Sequence, residues 1–372
     1  MSITETRRRT PSNGPIEDSR VVAYEPLIQP ALLKTEIVAS TTSKSIVSRA
    51  RKEAAEIIDG SDPRVLVIVG PCSVHAPDQA MEYARRLAAL APELKGLLLV
   101  MRTYFFAFSE KPRTTVGWKG LVNDPDIDGS FKINKGLRLA RQLLCDITDL
   151  GLPVGCELLD TISPQYFADL ISWGAIGART TESQLHRELA SGSSFPIGFK
   201  NGTEGSIQVA VDAMGAASHP HTFLGVTEHG LAAIVKTSGN PNGHVILRGG
   251  ANGPNFSTEH VKKAREGLLK SGMAPSVMID CSHANSQKDY RNQSKVLADI
   301  CSQLEDGDRT ITGVMMESNI NEGKQAAPTD GPSKLKYGVS ITDGCVNWET
   351  TVALLVDLNK AALARQKSGA AQ

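Results

Sequence analysis

Eight short apolar runs, separated by longer stretches of helical character, constrain the fold of this chain more than any other feature. The runs are rich in branched residues, and polar or glycine residues end each of them. They lie at residues 65–70, 97–102, 153–158, 174–179, 196–201, 244–249, 277–283 and 313–318. Continuous apolar strands that alternate with helices indicate a buried parallel sheet. Eight such units, without a GxGxxG turn after the first strand, favour an α/β fold of the closed (β/α)8 type over a doubly wound sheet.

The segments before the barrel differ from it in pattern. Residues 1–20 are polar and contain proline and glycine, which predicts a flexible tail. Residues 21–42 have no clear period, and we interpret them as an N-terminal arm that packs on another surface. The barrel unit is predicted to span 43–372. It begins with a helix over 43–58, which Gly60 should end.

Two connections are longer than a barrel requires. Between the fifth and sixth runs, residues 221–226 and 231–237 are apolar enough to pair, so we predict an inserted β-hairpin at about 219–240. The other long connection, 103–130, follows the second run and is rich in Lys, Arg, Thr and Gly. Long loops at the carboxyl ends of barrel strands are usually functional, so this loop is expected to carry site residues.

Composition argues against several classes of protein. The 40 basic and 40 acidic residues give no net charge, so nothing suggests a nucleic-acid or anionic-membrane partner. No apolar run approaches the roughly 20 residues that a membrane-spanning helix needs. The six cysteines are scattered without a CxxC pair, which favours a reducing compartment over a disulfide scaffold. We therefore expect a cytoplasmic protein.

The residues at the ends of the runs supply two kinds of chemistry on one predicted rim. Convergent cations in a neutral protein predict anionic ligands, and arginine suits phosphate and carboxylate. The cations are Arg102, Lys111, Arg113, Arg179, Lys200 and Arg248. The other group combines a thiol, an imidazole and two carboxylates, which can bind a divalent transition metal. Its members are Cys72, His283, Glu317 and Asp343. These ligand types leave Mn, Fe, Co, Zn and Cu open.

Each candidate also has a purely structural interpretation. Cys72 could be a small buried hydrophobe, and His283 could cap the helix that follows it. Glu317 and Asp343 could be carboxylates favoured by a helix dipole, and isolated Arg and Lys residues are usually solvated. The combination favours a functional interpretation, because every run ends in a reactive or cationic group on the same predicted rim.

The segments around these residues resemble the type I 3-deoxy-D-arabino-heptulosonate 7-phosphate (DAHP) synthases, from about residue 30 to about residue 355. The matching segments include GPCSVH (70–75), EKPRTTVGWKGLVNDP (110–125), GARTTES (177–183), GFKNGT (198–203), DCSHANS (280–286), MMESNI (315–320) and SITDGC (340–345). The resemblance implies a (β/α)8 barrel with an N-terminal extension and an inserted hairpin. It also implies condensation of phosphoenolpyruvate with erythrose 4-phosphate, the first step of the shikimate pathway.

The resemblance assigns roles residue by residue. It implies that Cys72, His283, Glu317 and Asp343 bind the metal, with manganese favoured. The implied phosphoenolpyruvate site is Arg102, Lys111, Glu157, Arg179, Lys200 and Arg248. The segment implied to hold erythrose 4-phosphate is Lys111, Pro112, Arg113 and Thr114. Either Lys111 or a metal-bound water could supply the proton that the new alkoxide needs, and the sequence leaves both open.

The resemblance also implies feedback inhibition by an aromatic amino acid. The matching effector positions are Pro164, Gln165, Ser194, Phe223, Gly225 and Val235. Related enzymes carry Gly or Ser at the position of Gly225, and the smaller residue resembles the tyrosine-sensitive forms, so we expect tyrosine rather than phenylalanine. The alternative is that these residues only pack the hairpin. The arm at 21–42 could pack on a neighbouring subunit, so a homodimer or homotetramer is expected.

One departure from the family keeps alternatives open. Phe106 to Ser109 lie as an insertion between the two segments that carry Arg102 and Lys111. A non-catalytic, amino-acid-sensing homologue impaired by this insertion is therefore one alternative. A second is another phosphoenolpyruvate-dependent aldose synthase, of the 3-deoxy-octulosonate 8-phosphate type. The segment that contains Arg113 and the hairpin insertion favour the enzyme that uses erythrose 4-phosphate.

Overall fold

The computed structural model describes residues 17–105, 117–328 and 331–370. Within these ranges eight parallel strands close into a barrel, and two more form a separate antiparallel hairpin. In chain order the strands are β1 (Val65–Gly70), β2 (Leu97–Arg102), β3 (Val154–Glu157), β4 (Trp173–Ile176), β5 (Ile197–Lys200), β6 (Thr222–Val226), β7 (Ala232–Lys236), β8 (Gly243–Leu247), β9 (Val277–Asp280) and β10 (Ile311–Glu317). Around the barrel the order is β1-β10-β9-β8-β5-β4-β3-β2. The predicted (β/α)8 barrel is confirmed.

The barrel strands form at the apolar runs, but several runs continue past their strand. Every residue of β1 and β10 is buried, as expected for strands covered by helices outside and by side chains inside. Arg179, Arg248 and His283 were expected at strand ends. They lie instead one to three residues into the loops that follow β4, β8 and β9. The three residues therefore belong to the loops above the strand ends rather than to the strands.

Helices connect the strands and surround the barrel. In chain order they are α1 (Pro30–Glu36), α2 (Thr41–Asp59), α3 (Pro77–Leu90), α4 (Ile133–Asp149), α5 (Pro164–Phe167), α6 (Gln184–Ser191), α7 (Gln208–Ala217), α8 (Thr258–Lys270), α9 (Gln293–Glu305) and α10 (Trp348–Ala370). In the described part of the chain, none of the helices is both long enough and apolar enough to cross a membrane.

Helix α2 lies against the amino-terminal end of the barrel. The Ser40 hydroxyl accepts a hydrogen bond from the Ser43 N–H (3.0 Å) at its start, and Gly60, at φ 87°, ends it. The helix predicted over 43–58 is therefore confirmed. Its apolar face joins the barrel interior in one cluster, composed of Ala54, Ile57, Ile58, Leu66, Ile68, Leu98, Val100, Tyr104, Trp173, Ala175, Ile246, Met278 and Met315. The amino-terminal half of the barrel interior is thus a packed core.

The hairpin β6–β7 is inserted between the fifth and sixth barrel strands, as predicted. Its strands pair with Phe223 opposite Val235. Helix α1 lies within the segment predicted to be an arm and contacts the hairpin turn. The N–H of Ala31 donates to the carbonyl oxygen of Glu228 (2.8 Å), and the Lys34 ammonium lies 3.8 Å from the Glu228 carboxylate. The N-terminal segment therefore braces the hairpin.

Candidate active site

The carboxyl ends of the barrel strands carry a layer of buried charge above the apolar interior. Arg102 ends β2, Glu157 ends β3, Lys200 ends β5, Asp280 ends β9 and Glu317 ends β10. None of these side chains is more than 4% exposed. Buried charges are stable only when they are paired or hydrogen-bonded, so their neighbours decide what each can do.

Arg102 is held on several sides by the segments around it. Its Nη2 donates to Glu317 Oε1 (3.0 Å) and to the Cys72 carbonyl oxygen (3.2 Å), and its Nε donates to the Pro71 carbonyl oxygen (3.1 Å). The guanidinium carbon lies 3.7 Å from the ring centroid of Tyr104. Burial alone would lower the pKa of Arg102, but Tyr104 and Glu317 raise it overall. Arg102 therefore stays charged and fixes both the Glu317 carboxylate and the Cys72 backbone.

Asp280 joins two predicted site residues that come from different strands. Its Oδ2 lies 3.3 Å from Lys200 Nζ and 3.0 Å from His283 Nδ1, while its Oδ1 accepts from the Ser282 hydroxyl (2.6 Å). Burial opposes its negative charge, but His283 and Lys200 hold the pKa of Asp280 well below its usual range. Asp280 is therefore a carboxylate that orients an ammonium on one side and an imidazole on the other.

The residues predicted to bind a metal lie on segments that meet at this rim. Glu317 pairs with Gly70 in the β1–β10 register, and Cys72 follows two residues later. The N–H of Val346 donates to the Glu317 carbonyl oxygen (3.0 Å), which brings the loop that carries Asp343 to the same strand end. Three segments distant in sequence are thus neighbours in space.

These residues do not form a ready cluster. Among the described residues, no group of three or more His, Cys, Asp and Glu side chains is arranged to hold a metal ion. The donor set still fits a divalent transition metal in kind, because it combines sulfur, nitrogen and oxygen. Cys72, His283 and Glu317 are buried and Asp343 is half-buried, so their environment is that of an enclosed site.

The remaining predicted substrate residues divide into two groups. Arg248 is half-buried, and its backbone N–H donates to Asn201 Oδ1 (2.8 Å). Arg179 is exposed in the loop after β4. Within 17–105, 117–328 and 331–370, neither arginine forms an ion pair, so both add positive charge to the rim. The other predicted substrate residues, Lys111, Pro112, Arg113 and Thr114, lie outside the described residues, as does the insertion Phe106–Ser109.

Sequence reasoning overlooked several residues of this site. A chain of buried amides supports the loop of Arg248: Asn255 Nδ2 donates to Asn201 Oδ1 (3.2 Å), and the Asn255 N–H donates to Asn285 Oδ1 (2.8 Å). Tyr104 is buried at the base of the site, and its hydroxyl has no hydrogen-bond partner among the described residues. The signal for the amides was present, because each asparagine lies just after a barrel strand or in the loop that follows one.

The predicted effector residues lie around the hairpin. Gln165, in α5, donates from Nε2 to the Val226 carbonyl oxygen (2.9 Å). Phe223, Gly225 and Val235 occupy the half-buried face of the hairpin. A Cβ built on Gly225 would lie 2.6 Å from Val235 Cγ2, so a larger residue there would displace that valine.

Two further predicted effector residues lie near the hairpin. Pro164 opens α5, next to Gln165. Ser194 is exposed in the loop before β5. The residue before it, Ser193, accepts a hydrogen bond at its carbonyl oxygen from Asn240 Nδ2 (3.2 Å). The structure thus brings the region of the predicted effector residues together around the hairpin.

Comparison with known proteins agrees with the resemblance drawn from the motifs. Residues 37–356 match the family described as the DAHP synthetase I family. A Schizosaccharomyces pombe protein named phospho-2-dehydro-3-deoxyheptonate aldolase, tyrosine-inhibited, is 56% identical over 95% of this chain and 95% of its own length. An Escherichia coli protein named as the Phe-sensitive aldolase is 55% identical, over 94% of this chain and 98% of its own length. Overall identity therefore does not separate tyrosine from phenylalanine sensitivity.

A solved structure gives the same result for the fold. The phospho-2-dehydro-3-deoxyheptonate aldolase of Francisella tularensis superimposes with a TM-score of 0.89 and 54% sequence identity. The alignment covers 93% of this chain and 99% of the other. Fold and sequence likeness therefore extend over the same, nearly complete, length.

Proposed function

We propose, from the premise that this chain belongs to the DAHP synthetase I family, that it condenses phosphoenolpyruvate with D-erythrose 4-phosphate. C3 of phosphoenolpyruvate would attack the aldehyde carbon, water would add at C2, and inorganic phosphate would leave. The observation that carries the proposal is the layer of buried charge at the rim, with Lys200 and Arg102 held by carboxylates. Phosphoenolpyruvate and erythrose 4-phosphate are both phosphate esters, and fixed cations are needed to hold two such anions close together.

The rim residues of this chain would divide the work. Arg179 and Arg248 have no carboxylate partner in the described ranges, so they are available to the phosphate and carboxylate of phosphoenolpyruvate. Lys200 is already oriented by Asp280 and would add a point charge beside them. Arg102 is bonded to the backbone on both sides of Cys72 and would hold the wall of the site. Lys111 to Thr114 remain the predicted contacts of erythrose 4-phosphate.

We also propose a divalent metal at Cys72, His283, Glu317 and Asp343, with manganese favoured and iron, cobalt, zinc or copper as alternatives. Nδ1 of His283 faces Asp280, so Nε2 is the ring nitrogen that a metal would use. When bound, such a metal would polarise the aldehyde oxygen of erythrose 4-phosphate. Arg102 would meanwhile hold one oxygen of Glu317 in place.

The alternative of a non-catalytic sensor is not favoured. Relatives named as aldolases match almost the whole chain, and the charged rim residues are present. For regulation we propose inhibition by tyrosine, because Gly225 adds no side chain to the half-buried face of the hairpin, whereas the Cβ of a serine would lie 2.6 Å from Val235 Cγ2 and displace that valine. We expect the smaller residue to leave room for the phenol hydroxyl of tyrosine, which phenylalanine lacks.

We further propose a cytoplasmic homo-oligomer, a dimer or a tetramer. The outer face of the hairpin exposes Leu224 (88%) opposite Ile234 (70%), and the extended arm exposes Val22 and Tyr24. A cross-strand pair of large apolar residues is costly to leave in water, and a second copy of the chain could cover it.

The deciding experiment follows the consumption of phosphoenolpyruvate when erythrose 4-phosphate is added to purified protein. We expect turnover that a chelator abolishes and Mn(II) restores. Cys72→Ala should lose this turnover. Cys301→Ala, which changes a half-buried cysteine of α9 outside the predicted metal ligands, should keep it. Turnover that survives both the chelator and Cys72→Ala would overturn the metal assignment. Absence of turnover with every metal would overturn the proposed reaction.

The regulatory proposal has its own test. Gly225→Ser should weaken inhibition by tyrosine and strengthen inhibition by phenylalanine, with little change in uninhibited turnover. Ser218→Ala, an exposed position at the end of α7, is the control. Unchanged inhibition by both amino acids in Gly225→Ser would leave the six effector residues with a packing role only.

A further inference from the structure

A cavity of about 360 Å³ lies at the amino-terminal end of the barrel, away from the active-site rim. It opens to solvent and is bordered by the end of α2, the α2–β1 loop, the α9–β10 loop and α10. Its polar lining includes Ser61, Asp62, Arg64, Arg309, Arg365 and Gln366. This volume is within the range of small-molecule sites, and three guanidinium groups around one cavity call for an explanation.

Arg365 forms a fixed wall of the cavity. It is buried, and its Nη1 donates to the carbonyl oxygens of Ile311 (2.6 Å) and Asp308 (3.3 Å). Its Nη2 donates to the carbonyl oxygens of Pro63 (3.1 Å) and Arg64 (3.3 Å). Among the described residues no carboxylate forms an ion pair with it. The guanidinium is therefore rigidly positioned, and these hydrogen bonds go to carbonyl dipoles rather than to a carboxylate.

Arg309 adds a second charge that nothing in the described structure pairs. Its side chain is exposed at the mouth of the cavity and forms no ion pair with any residue the structure describes. Burial lowers the pKa of Arg365 most; Asp308 raises it, and Arg309 lowers it again. Both guanidinium groups line the same cavity, so their positive charges oppose each other.

The third arginine is already neutralised. Arg64 Nη2 lies 2.6 Å from Asp62 Oδ2 and 3.2 Å from Glu53 Oε2. Asp62 is the acidic residue of the lining, and Arg64 Nε also donates a hydrogen bond to its Oδ2 (2.9 Å). Asp62, the carboxylate of the described lining, is therefore paired with Arg64 and forms no ion pair with Arg309 or Arg365.

We propose that this cavity binds a small ligand that carries a phosphate or carboxylate group. Arg365 would supply a fixed positive charge at the wall, because carbonyl oxygens already accept the hydrogen bonds of both its Nη atoms. The exposed Arg309 would close on the anion from the solvent side, since a guanidinium group pairs with phosphate or carboxylate in a bidentate manner. The anion would also remove the repulsion between the two arginines. The proposal does not depend on the reaction at the rim.

The position of the cavity suggests what occupancy would affect. β1 begins directly after Arg64 and ends at Gly70, and β10 contains the lining residue Thr312 and ends at Glu317. Strands of this length span about 20 Å. A ligand in the cavity therefore cannot touch substrate, but it would fix the starting points of the two strands that carry Glu317 and lead to Cys72.

The test measures anion binding by the full chain, with inorganic phosphate and succinate as separate probes. The probes are titrated into wild type, Arg309→Glu and the control Arg265→Glu, and thermal midpoints are recorded. Arg265 is an exposed arginine of α8 without an ion pair in the described ranges, so the control makes the same charge change elsewhere. Phosphate that binds at the active site contributes equally to both variants, so their difference reports the cavity.

We expect Arg309→Glu to weaken the binding of at least one probe by about tenfold or more, whereas Arg265→Glu should match wild type. Loss with phosphate alone identifies a phosphate ligand, and loss with succinate alone identifies a carboxylate ligand. In low salt and without anions, Arg309→Gln should also raise the thermal midpoint, because the repulsion of Arg365 is removed. Equal binding by both charge-reversal variants, or no rise in the midpoint of Arg309→Gln, would overturn the proposal.

Discussion

The two halves of the barrel interior have opposite chemistry, although the same strands build both. On β2, Leu98 and Val100 belong to the apolar cluster near α2, and Arg102, two residues further along, is part of the charged rim. Met278 and Asp280 repeat the change on β9. Alternate residues of a strand point to the same side, so a single inward-facing row passes from hydrocarbon to charge within one strand.

This difference separates stability from function along the barrel axis. The amino-terminal half contributes to folding through packing, and it tolerates few polar atoms. The carboxyl-terminal half contains buried ion pairs that contribute less to stability than apolar packing would. The desolvation of the buried charges offsets much of their mutual attraction. Substitutions in the two halves should therefore fail in different ways.

The largest expected effect is that of Arg102→Leu. It leaves Glu317 buried without its cation, which should lower the free energy of unfolding by about 3–5 kcal/mol and abolish turnover. Urea unfolding and phosphoenolpyruvate consumption measure the two. The double variant Arg102→Leu, Glu317→Leu should regain much of the stability but no activity. Full activity in either variant would contradict a functional origin of this ion pair.

A deletion in the other half should show the converse. Met278→Ala removes a fully buried side chain from the apolar cluster and should cost about 2–5 kcal/mol of unfolding free energy. Turnover per folded molecule should stay near that of wild type. The exposed Leu269→Ala is the control and should change stability by less than about 0.5 kcal/mol. A large fall in turnover with unchanged stability would contradict the assignment of stability to the amino-terminal half and function to the other.

Asp280→Asn tests the boundary between the halves. The amide keeps the shape of the side chain but loses the charge that orients Lys200 and His283. By analogy with residues that orient metal ligands, we expect turnover or metal affinity to fall about 10–100-fold. Asp289→Asn, which changes a half-buried carboxylate paired with Arg291, should leave both unchanged. Wild-type behaviour of Asp280→Asn would contradict an orienting role for the charge of Asp280.

The smallest expected effect concerns His244, the titratable exception in the apolar half. It accepts a hydrogen bond at Nε2 from Trp173 Nε1 (3.2 Å), and burial lowers the pKa of His244 to about 3. The unfolded pKa is near 6.5, so between these values only the unfolded chain binds the proton. The free energy of unfolding should therefore fall with pH below about 6.5, by up to about 1.4 kcal/mol per unit.

Urea unfolding at about pH 7 and about pH 5 measures this slope. His244→Gln should remove about 2 kcal/mol of the loss between those values. His229→Gln, an exposed control, should remove none. Burial also lowers the pKa of His75, to about 4. His75 therefore contributes to the pH dependence of the unfolding free energy equally in both variants. An unchanged slope in His244→Gln would show that His75 and other groups account for the acid sensitivity.

Much of this architecture could be predicted from the chain alone. The spacing of the apolar runs predicted the barrel, the helix before β1 and the hairpin, because strand and helix periods are local properties of sequence. The lengths of the strands were less predictable: Arg179, Arg248 and His283 lie in loops because the backbone ladder ends before the polar residues begin.

The identities of the rim residues were also determined by the sequence, whereas their partners were not. Arg102 and Glu317 are 215 positions apart, and Arg365 reaches a carbonyl oxygen 302 positions away. No local pattern encodes such pairs, since closure of the barrel and the register between β1 and β10 bring them together. The sequence by itself determined which charges the chain carries and at which strand ends. The tertiary structure alone decided that Asp280 joins Lys200 to His283, and that arginines from distant segments enclose one cavity, because burial leaves each charge only the neighbours that the fold provides.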